Sequence, residues 1–220
     1  MEPIVTTLAV ALAVAAGSVL TWLFPLKLVV RLKRWLGKPV ACPALFAWTL
    51  NLRVRRWQYR FVPDRLGLRS GMVVLEVGAG VGTFTVPAAR RVGPTGKIIA
   101  VDIQPEMIAQ LERNVERASL ANVTTKVAGA HQLPLEDSCL DCVFLVAVIG
   151  EIAEPQRALR EAYRVLKPGG RLSITEDFID PDYNWPGETT RLMEGAGFEI
   201  TERFGSFWLY TLNGRKTQRK

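Results

Sequence analysis

The pattern of apolar and polar positions divides the chain into an apolar front, a basic middle and an alternating remainder. From Pro3 to Leu26 there is no charged residue, and the run IVTTLAVALAVAAGSVLTWLF is long enough, at about 1.5 Å of rise per residue, to cross a hydrocarbon core of about 30 Å. It predicts a transmembrane helix over residues 1–26. A cleaved signal peptide is the competing reading, because Ala13 and Ala15 offer a small-residue site. Glu2 at the start, the length of the run and the basic flank behind it argue against cleavage. After Pro25, the residues Lys27, Arg31, Arg34 and Lys38 recur at helical spacing, while Leu28, Val29, Leu32, Trp35 and Leu36 fill much of the rest. That segment predicts a helix in the plane of the membrane interface, or else a continuous helix leaving the bilayer. KPVACP reads as a linker. Ala44 to Arg60 then places Phe46, Trp48, Trp57 and Tyr59 beside four arginines, as an interfacial belt, a lid or a helix packed on the rest of the chain.

From Leu66 the period changes. Short apolar runs alternate with helical patterns, which predicts a parallel sheet with helices on both faces. The expected strands are Val73 to Val77, Lys97 to Asp102, Val123 to Val127, Cys142 to Val148, Arg171 to Glu176, Phe198 to Arg203 and Phe207 to Leu212. The expected helices are Thr83 to Arg91, Pro105 to Ser119, Pro155 to Val165 ended by KPGG, and Glu188 to Ala196 closed by Gly197. Residues 27–62 are expected to form a juxtamembrane bridge, 63–212 the α/β domain and 213–220 a basic tail.

Charge changes this picture in one respect. Nine basic residues and no acid lie between Pro3 and Pro63, so the positive-inside rule places the domain in the cytoplasm. Of the 28 basic and 21 acidic residues, 19 basic and 20 acidic remain from Asp64 onward. The net charge of +7 therefore belongs to the membrane flank and does not mark a nucleic-acid surface. Cys42, Cys139 and Cys142, with a single histidine in the chain, supply no metal-ligand set, and CLDC sits inside a predicted strand.

The chemistry begins where the first strand ends. VVLEVGAGVGTFT runs from an acid, Glu76, into Gly78, Gly80 and Gly82, and a second acid, Asp102, follows about 20 residues later. Glycines at these places let the backbone turn tightly and approach a ligand that a Cβ would exclude. Thr83 stands where a dinucleotide fingerprint carries its third glycine, and no Lys-Ser or Lys-Thr follows as in a triphosphate loop. A helix N-terminus facing a carboxylate, with Asp102 free to accept both ribose hydroxyls, points to S-adenosylmethionine.

In LEVGAGVGTF, IIAVDIQPEMI, LPLEDSCLDCVFLVAVIGEI and RVLKPGGRLSITE, in that order, the chain resembles the class I S-adenosylmethionine-dependent methyltransferases, especially the group containing the ubiquinone and menaquinone C-methyltransferases. The resemblance spans roughly Pro63 to Thr211. It implies a Rossmann-like α/β fold, a mostly parallel seven-stranded sheet with an antiparallel last strand. It implies cofactor contacts at Glu76 (the amino group), Gly78, Ala79, Gly80, Gly82, Asp102 (the ribose), Ile103 (packed on adenine) and Ala147. Two positions depart from the family pattern. Gly129, Ala130 and His131 stand where relatives carry an Asp for the adenine amine, which leaves backbone groups or His131 for that role. Glu151 replaces a common His after the fourth strand and becomes the candidate base or substrate contact, with a helix-start carboxylate as its alternative. EDFIDPDYNWP offers Glu176, Asp177, Asp180, Asp182 and Tyr183 either to an amine or hydroxyl acceptor or to a turn. The expected protein is a membrane-anchored methyltransferase for a lipophilic acceptor. A quinone-like ring carbon or hydroxyl comes first and a phospholipid amine second, and a non-catalytic cofactor-binding module is the alternative.

Overall fold

The computed structural model describes residues 27–29, 32 and 59–217. The segment 1–26, read as a transmembrane helix, lies outside them, as do most of the bridge and the last residues of the basic tail. Among the described residues no helix is long and apolar enough to cross a membrane.

Seven strands, β1 (Val73–Val77), β2 (Lys97–Asp102), β3 (Val123–Val127), β4 (Leu140–Val146), β5 (Leu166–Asp177), β6 (Phe198–Ser206) and β7 (Leu209–Lys216), form one sheet in the order β3-β2-β1-β4-β5-β7-β6. The pairs from β3 to β5 are parallel, and β7 runs antiparallel to both of its neighbours. The helices are α1 (Val62–Arg65), α2 (Thr85–Val92), α3 (Pro105–Arg117), α4 (Pro155–Val165) and α5 (Pro186–Gly195). The expected seven-stranded sheet with its antiparallel last strand is therefore present.

Side chains alternate across a strand, so successive residues of one apolar run feed two cores. Val74, Ile98, Ala100, Cys142 and Phe144 pack on one face with Val62, Ala88, Ala89, Val92, Ile108 and Leu111. Leu75, Ile99, Val101, Val143 and Leu145 pack on the other with Leu159, Ala162, Met193, Tyr210 and Leu212. α1, α2 and α3 thus cover one face, and α4 and α5 the other. Full burial of each such aliphatic side chain contributes about 1.5–3 kcal/mol.

Several boundaries differ from expectation: α3 ends at Arg117, β6 runs on to Ser206, and β7 spans Leu209–Lys216, so residues 213–216, read as the start of the basic tail, belong to the sheet. Four other differences have a visible cause. α2 starts at Thr85 rather than Thr83, because the Thr85 hydroxyl turns back to the Glu76 carboxylate at 2.5 Å. β4 ends at Val146, two residues early, since Ala147 adopts φ +54° and carries the chain out of the sheet. KPGG does not follow α4 as a separate turn. It lies within β5, where the pairing with β4 shifts between Leu140 and Cys142 and absorbs the irregularity. α5 begins at Pro186, with the Trp185 N–H held by the Glu188 carboxylate at 2.9 Å.

Strand order reverses beside β1, which has β2 on one side and β4 on the other. Ligands in open α/β sheets bind at that switch, outside the carboxyl ends of the strands.

Candidate active site

Each part of the site begins where a strand stops. Past β1 the backbone folds over the end of β2: the Gly78 and Ala79 N–H groups donate to the Val101 carbonyl at 2.8 and 3.0 Å. Gly78 has φ +71°, and a Cβ there would come within 2.6 Å of both methyl groups of Val148. The loop therefore needs glycine for conformation and for contact with the segment after β4. Gly80 differs. It has φ +53° and a Cβ on it would meet nothing within 4 Å, so its bare Cα faces open space. Gly82 packs against Leu111 of α3.

Asp102 is buried at the end of β2, and its two oxygens accept the Gly80 N–H at 2.8 Å and the Gln104 N–H at 2.9 Å. Its first task is to hold the glycine loop and the entry to α3. A carboxylate has about four acceptor positions, so two remain for further donors. Ile103 projects from the same turn with 65% of its surface exposed, unusual for an aliphatic side chain beside a core. Its Cδ1 approaches Gly129. Ala130 and His131 follow, half-buried, and His131 Nε2 is buried without a hydrogen-bond partner. Thr83 Oγ1 at the glycine loop is likewise buried and unpartnered.

Glu76 is fully buried, and that desolvation pushes its carboxyl up to about 8; the Thr85 hydroxyl acts in the opposite direction and the neighbouring Asp102 reinforces the rise. The expected contact group is thus buried in this arrangement, bonded to a Thr85 that is itself fully buried. Ala147, half-buried, donates its N–H to the Thr175 carbonyl at 2.8 Å.

A second set gathers past β4 and β5. Glu151 lies in a turn, its N–H bonded to the Val148 carbonyl at 3.0 Å. The residue that caps α4 is Glu154, so Glu151 is not the helix-start carboxylate. Its carboxylate lies within 4.8 Å of those of Asp180 and Asp182. The contact is enforced by Gly150, where a Cβ would sit 1.8 Å from the Asp182 carbonyl oxygen. EDFIDPDYNWP is both of the things expected of it. Asp180 Oδ1 accepts the Asp182 N–H at 3.0 Å, as a turn former does, while the same loop brings carboxylates to Glu151.

Aromatic rings gather on the same loop and on the turn between β6 and β7. Phe178 meets Tyr183, Trp185, Phe207 and Trp208 edge-on at centroid distances of 5.3, 6.1, 5.8 and 4.9 Å. Two residues from the N-terminal side also reach that loop. The Tyr59 hydroxyl donates to Asp177 Oδ2 at 2.6 Å while its ring packs on Phe84 at 5.2 Å. Lys27 Nζ donates to the Asp180 carbonyl at 2.5 Å. Sequence reasoning assigned Lys27 to a membrane-facing stripe and Tyr59 to a belt, lid or packed helix, and it passed over Phe178, Trp185, Phe207 and Trp208. The density of rings in 178–185 and 207–210 was the available signal. Cys139 and Cys142 are both free, and burial pushes the Cys142 thiol up to about 12.

This fold, with a glycine loop and a buried acid at its switch point, is that of a methyltransferase domain. The chain belongs to the methyltransferase domain family, whose model matches residues 68–185. It is 34% identical over 161 residues to the ubiquinone/menaquinone biosynthesis C-methyltransferase UbiE of Escherichia fergusonii, a match covering 71% of this chain and 61% of that protein. The UbiE protein of Salmonella newport matches to the same extent. The chain thus spans about three-fifths of the curated relatives it matches. Among solved structures it is similar to a SAM-dependent methyltransferase from Aquifex aeolicus, with a TM-score of 0.75 and 24% identity, covering 80% of this chain and all of that one. It is also similar to the [4+2]-cyclase SpnF, with a TM-score of 0.65 and 21% identity over 74% of this chain and 81% of that one. The second likeness is a reminder that this fold hosts more than one chemistry.

Fold and family imply S-adenosylmethionine as cofactor, and the residues present fit it. The open ground at Gly80, the exposed Ile103 wall, the spare acceptor positions of Asp102 and the unpartnered atoms of Thr83 and His131 all lie on the loops that end β1, β2 and β3.

Proposed function

We propose that the protein transfers a methyl group from S-adenosylmethionine to a lipophilic acceptor at a membrane surface. The observation that carries this reading is the pairing of a complete glycine-loop site with an aromatic face, Trp185, Phe207 and Trp208, exposed at the same end of the sheet. The UbiE relatives support a quinone-type ring carbon as the first acceptor, with a hydroxyl on such a ring beside it. A phospholipid amine is the second, favoured by the carboxylates that surround Lys27.

When bound, the cofactor supplies an electrophilic methyl on a sulfonium. Asp102 would receive the ribose hydroxyls on its spare acceptor positions, and Ile103 would pack on the base. Backbone groups of 129–130 or His131 would meet its polar edge, and Gly78, Ala79, Gly80 and Gly82 would admit the amino-acid end. Glu76 sits beneath that loop with Thr85 between. Ala147, in its left-handed turn, lines the approach from β4. Most of the acceleration in such a reaction comes from alignment of acceptor and methyl. Glu151 stands on the acceptor side and would take a proton from an acceptor that must lose one.

The anchor belongs to the same proposal. The uncharged run from Pro3 to Leu26 and the acid-free basic stretch behind it support a single-pass helix with the domain on the cytoplasmic side. A tethered site meets membrane acceptors at high effective concentration.

Incubating the full chain with radiolabelled cofactor and total membrane lipids tests the reading. Label in the lipid fraction is expected, and chromatography of the product separates quinone from phospholipid. Cofactor binding by calorimetry without label transfer would favour the non-catalytic module.

A further inference from the structure

The segment that follows β5 already holds a cation from elsewhere in the chain. Lys27 Nζ lies 4.7 Å from the ring centroid of Phe178 and 5.4 Å from that of Tyr183, while it donates to the Asp180 carbonyl at 2.5 Å. The carboxylates of Asp180, Asp177, Asp182 and Glu176 all act on it electrostatically. Ring faces attract a cation through their quadrupole, and they do so best where water is partly excluded. Carboxylates add net attraction. Together they form the recognition chemistry of an alkylammonium group.

Lys27 is a poor resident for such a place. Partial burial holds its ammonium below the usual lysine range against the upward pull of the four acids, beginning with Asp180. A compact, strongly hydrated ammonium gives up more hydration on a ring face than an alkylated one does. It is also delivered from 153 residues away in sequence, by a segment separate from the loop that binds it. The loop itself is built independently: Gly150 admits the Asp182 backbone, the Tyr183 hydroxyl donates to the Phe207 carbonyl at 2.6 Å, and the Asn184 N–H donates to Glu176 at 2.8 Å. The receptor is therefore specified apart from its occupant.

We propose that Phe178 and Tyr183, with the carboxylates of Asp180 and Asp182, form a subsite for an alkylammonium group, and that Lys27 is its internal occupant, displaced when such a group binds. The subsite lies beside Glu151 on the acceptor side. As the headgroup pocket of a lipid acceptor it rests on the methyl-transfer reading, but its binding chemistry does not.

The test uses the full chain in detergent micelles or nanodiscs and reads binding by calorimetry, so that it needs no turnover. The wild type should bind choline weakly, with sodium chloride at matched ionic strength as the blank. Lys27→Ala should bind it at least tenfold more tightly. Lys27→Ala combined with Phe178→Leu should return to the wild-type level or below. Equal choline affinity in the wild type and Lys27→Ala, or no binding in either, overturns the proposal. Binding of S-adenosylhomocysteine in each variant reports that the domain is folded. Its loss from the wild type would sink the methyl-transfer reading and leave the choline comparison standing. Two further arms separate the sources. Flotation with phosphatidylcholine vesicles, strengthened by Lys27→Ala relative to phosphatidylglycerol vesicles, marks a lipid headgroup, and choline binding without that gain marks a soluble amine. Flotation gained equally on both lipids, with no choline response, counts against the subsite.

Discussion

The two halves of the site are built by opposite means. The cofactor half, past β1, β2 and β3, consists of backbone bent by glycines and held by one carboxylate. Its members are close in sequence, and Asp102 and Gly80 are 22 residues apart. The proposed acceptor half, past β4 and β5, consists of side chains, rings and acids brought together over long separations, 118 residues for Tyr59 and Asp177 and 153 for Lys27 and Asp180. Backbone geometry suits a ligand that never changes. Side chains can be exchanged without disturbing the strands beneath them, so acceptor choice can drift while the cofactor site stays.

If that contrast is real, injuries to the first half should be large and should cost cofactor binding or stability. The largest concerns Glu76. Its carboxyl is raised to about 8 in the folded protein from 4.5 in the open chain. Between those values the native state keeps a proton that the unfolded chain has lost, so stability falls as pH rises through the window and is flat outside it. At 1.36 kcal/mol per unit the fall approaches about 5 kcal/mol. Urea midpoints measured from pH 4 to 9 should show it, and Glu76→Gln should flatten the curve. A midpoint that rises over this range would contradict the buried, protonated acid.

Gly78→Ala comes next. The added Cβ meets a stiff β-branched Val148 at 2.6 Å and forces an L-residue to φ +71°. Overpacking and left-handed strain together should destabilise by about 2–4 kcal/mol. Unfolding in urea measures this, and S-adenosylhomocysteine calorimetry should show binding abolished. Asp102→Ala removes the acceptor of two backbone N–H groups, and cofactor affinity should fall by roughly 30–100-fold, equivalent to about 2–3 kcal/mol. Wild-type affinity in either variant would mean that the loop is not what holds the cofactor.

The same contrast explains what could be read from the chain. β1, β2, β3 and α4 have the predicted bounds because their periods of 2 and 3.6 are local and their ends carry glycine, proline or an acid. The glycine loop and Asp102 were legible for the same reason. The ends of β4 and β5 were not: Ala147 takes a left-handed turn that alanine does not advertise, and KPGG looks like a stop where the sheet tolerates a register shift. Lys27 was read from its neighbours in sequence, as part of a basic helical face, whereas its partners are Asp180, Phe178 and Tyr183. No periodicity encodes a contact of that range.

Damage to the acceptor half should separate turnover from cofactor binding. Gly150→Ala would drive a methyl group into the Asp182 carbonyl, which lies 1.8 Å from the Cβ position, and the loop must retreat from Glu151. Misplacement on this scale should lower turnover with a lipid acceptor by about tenfold or more. Cofactor affinity should remain within about twofold, since additivity holds for sites without shared partners. Equal losses in both would show one continuous site rather than two halves.

Tyr59 belongs to both halves and gives the finest test. Its ring packs on Phe84, directly after the glycine loop, and its hydroxyl donates to Asp177 at the end of β5. Tyr59→Phe keeps the first contact and removes the second. The ring is buried, at 4% exposure, so the variant should retain its packing and lose about 1 kcal/mol with the hydrogen bond. Because Asp177 also accepts the Ile179 N–H at 3.1 Å, the loss falls on the loop that carries Phe178 and Asp180. Cofactor affinity should be unchanged and acceptor KM should rise modestly. A fall in cofactor affinity with acceptor KM unchanged would show that Tyr59 works through Phe84 instead, and would move it to the cofactor half.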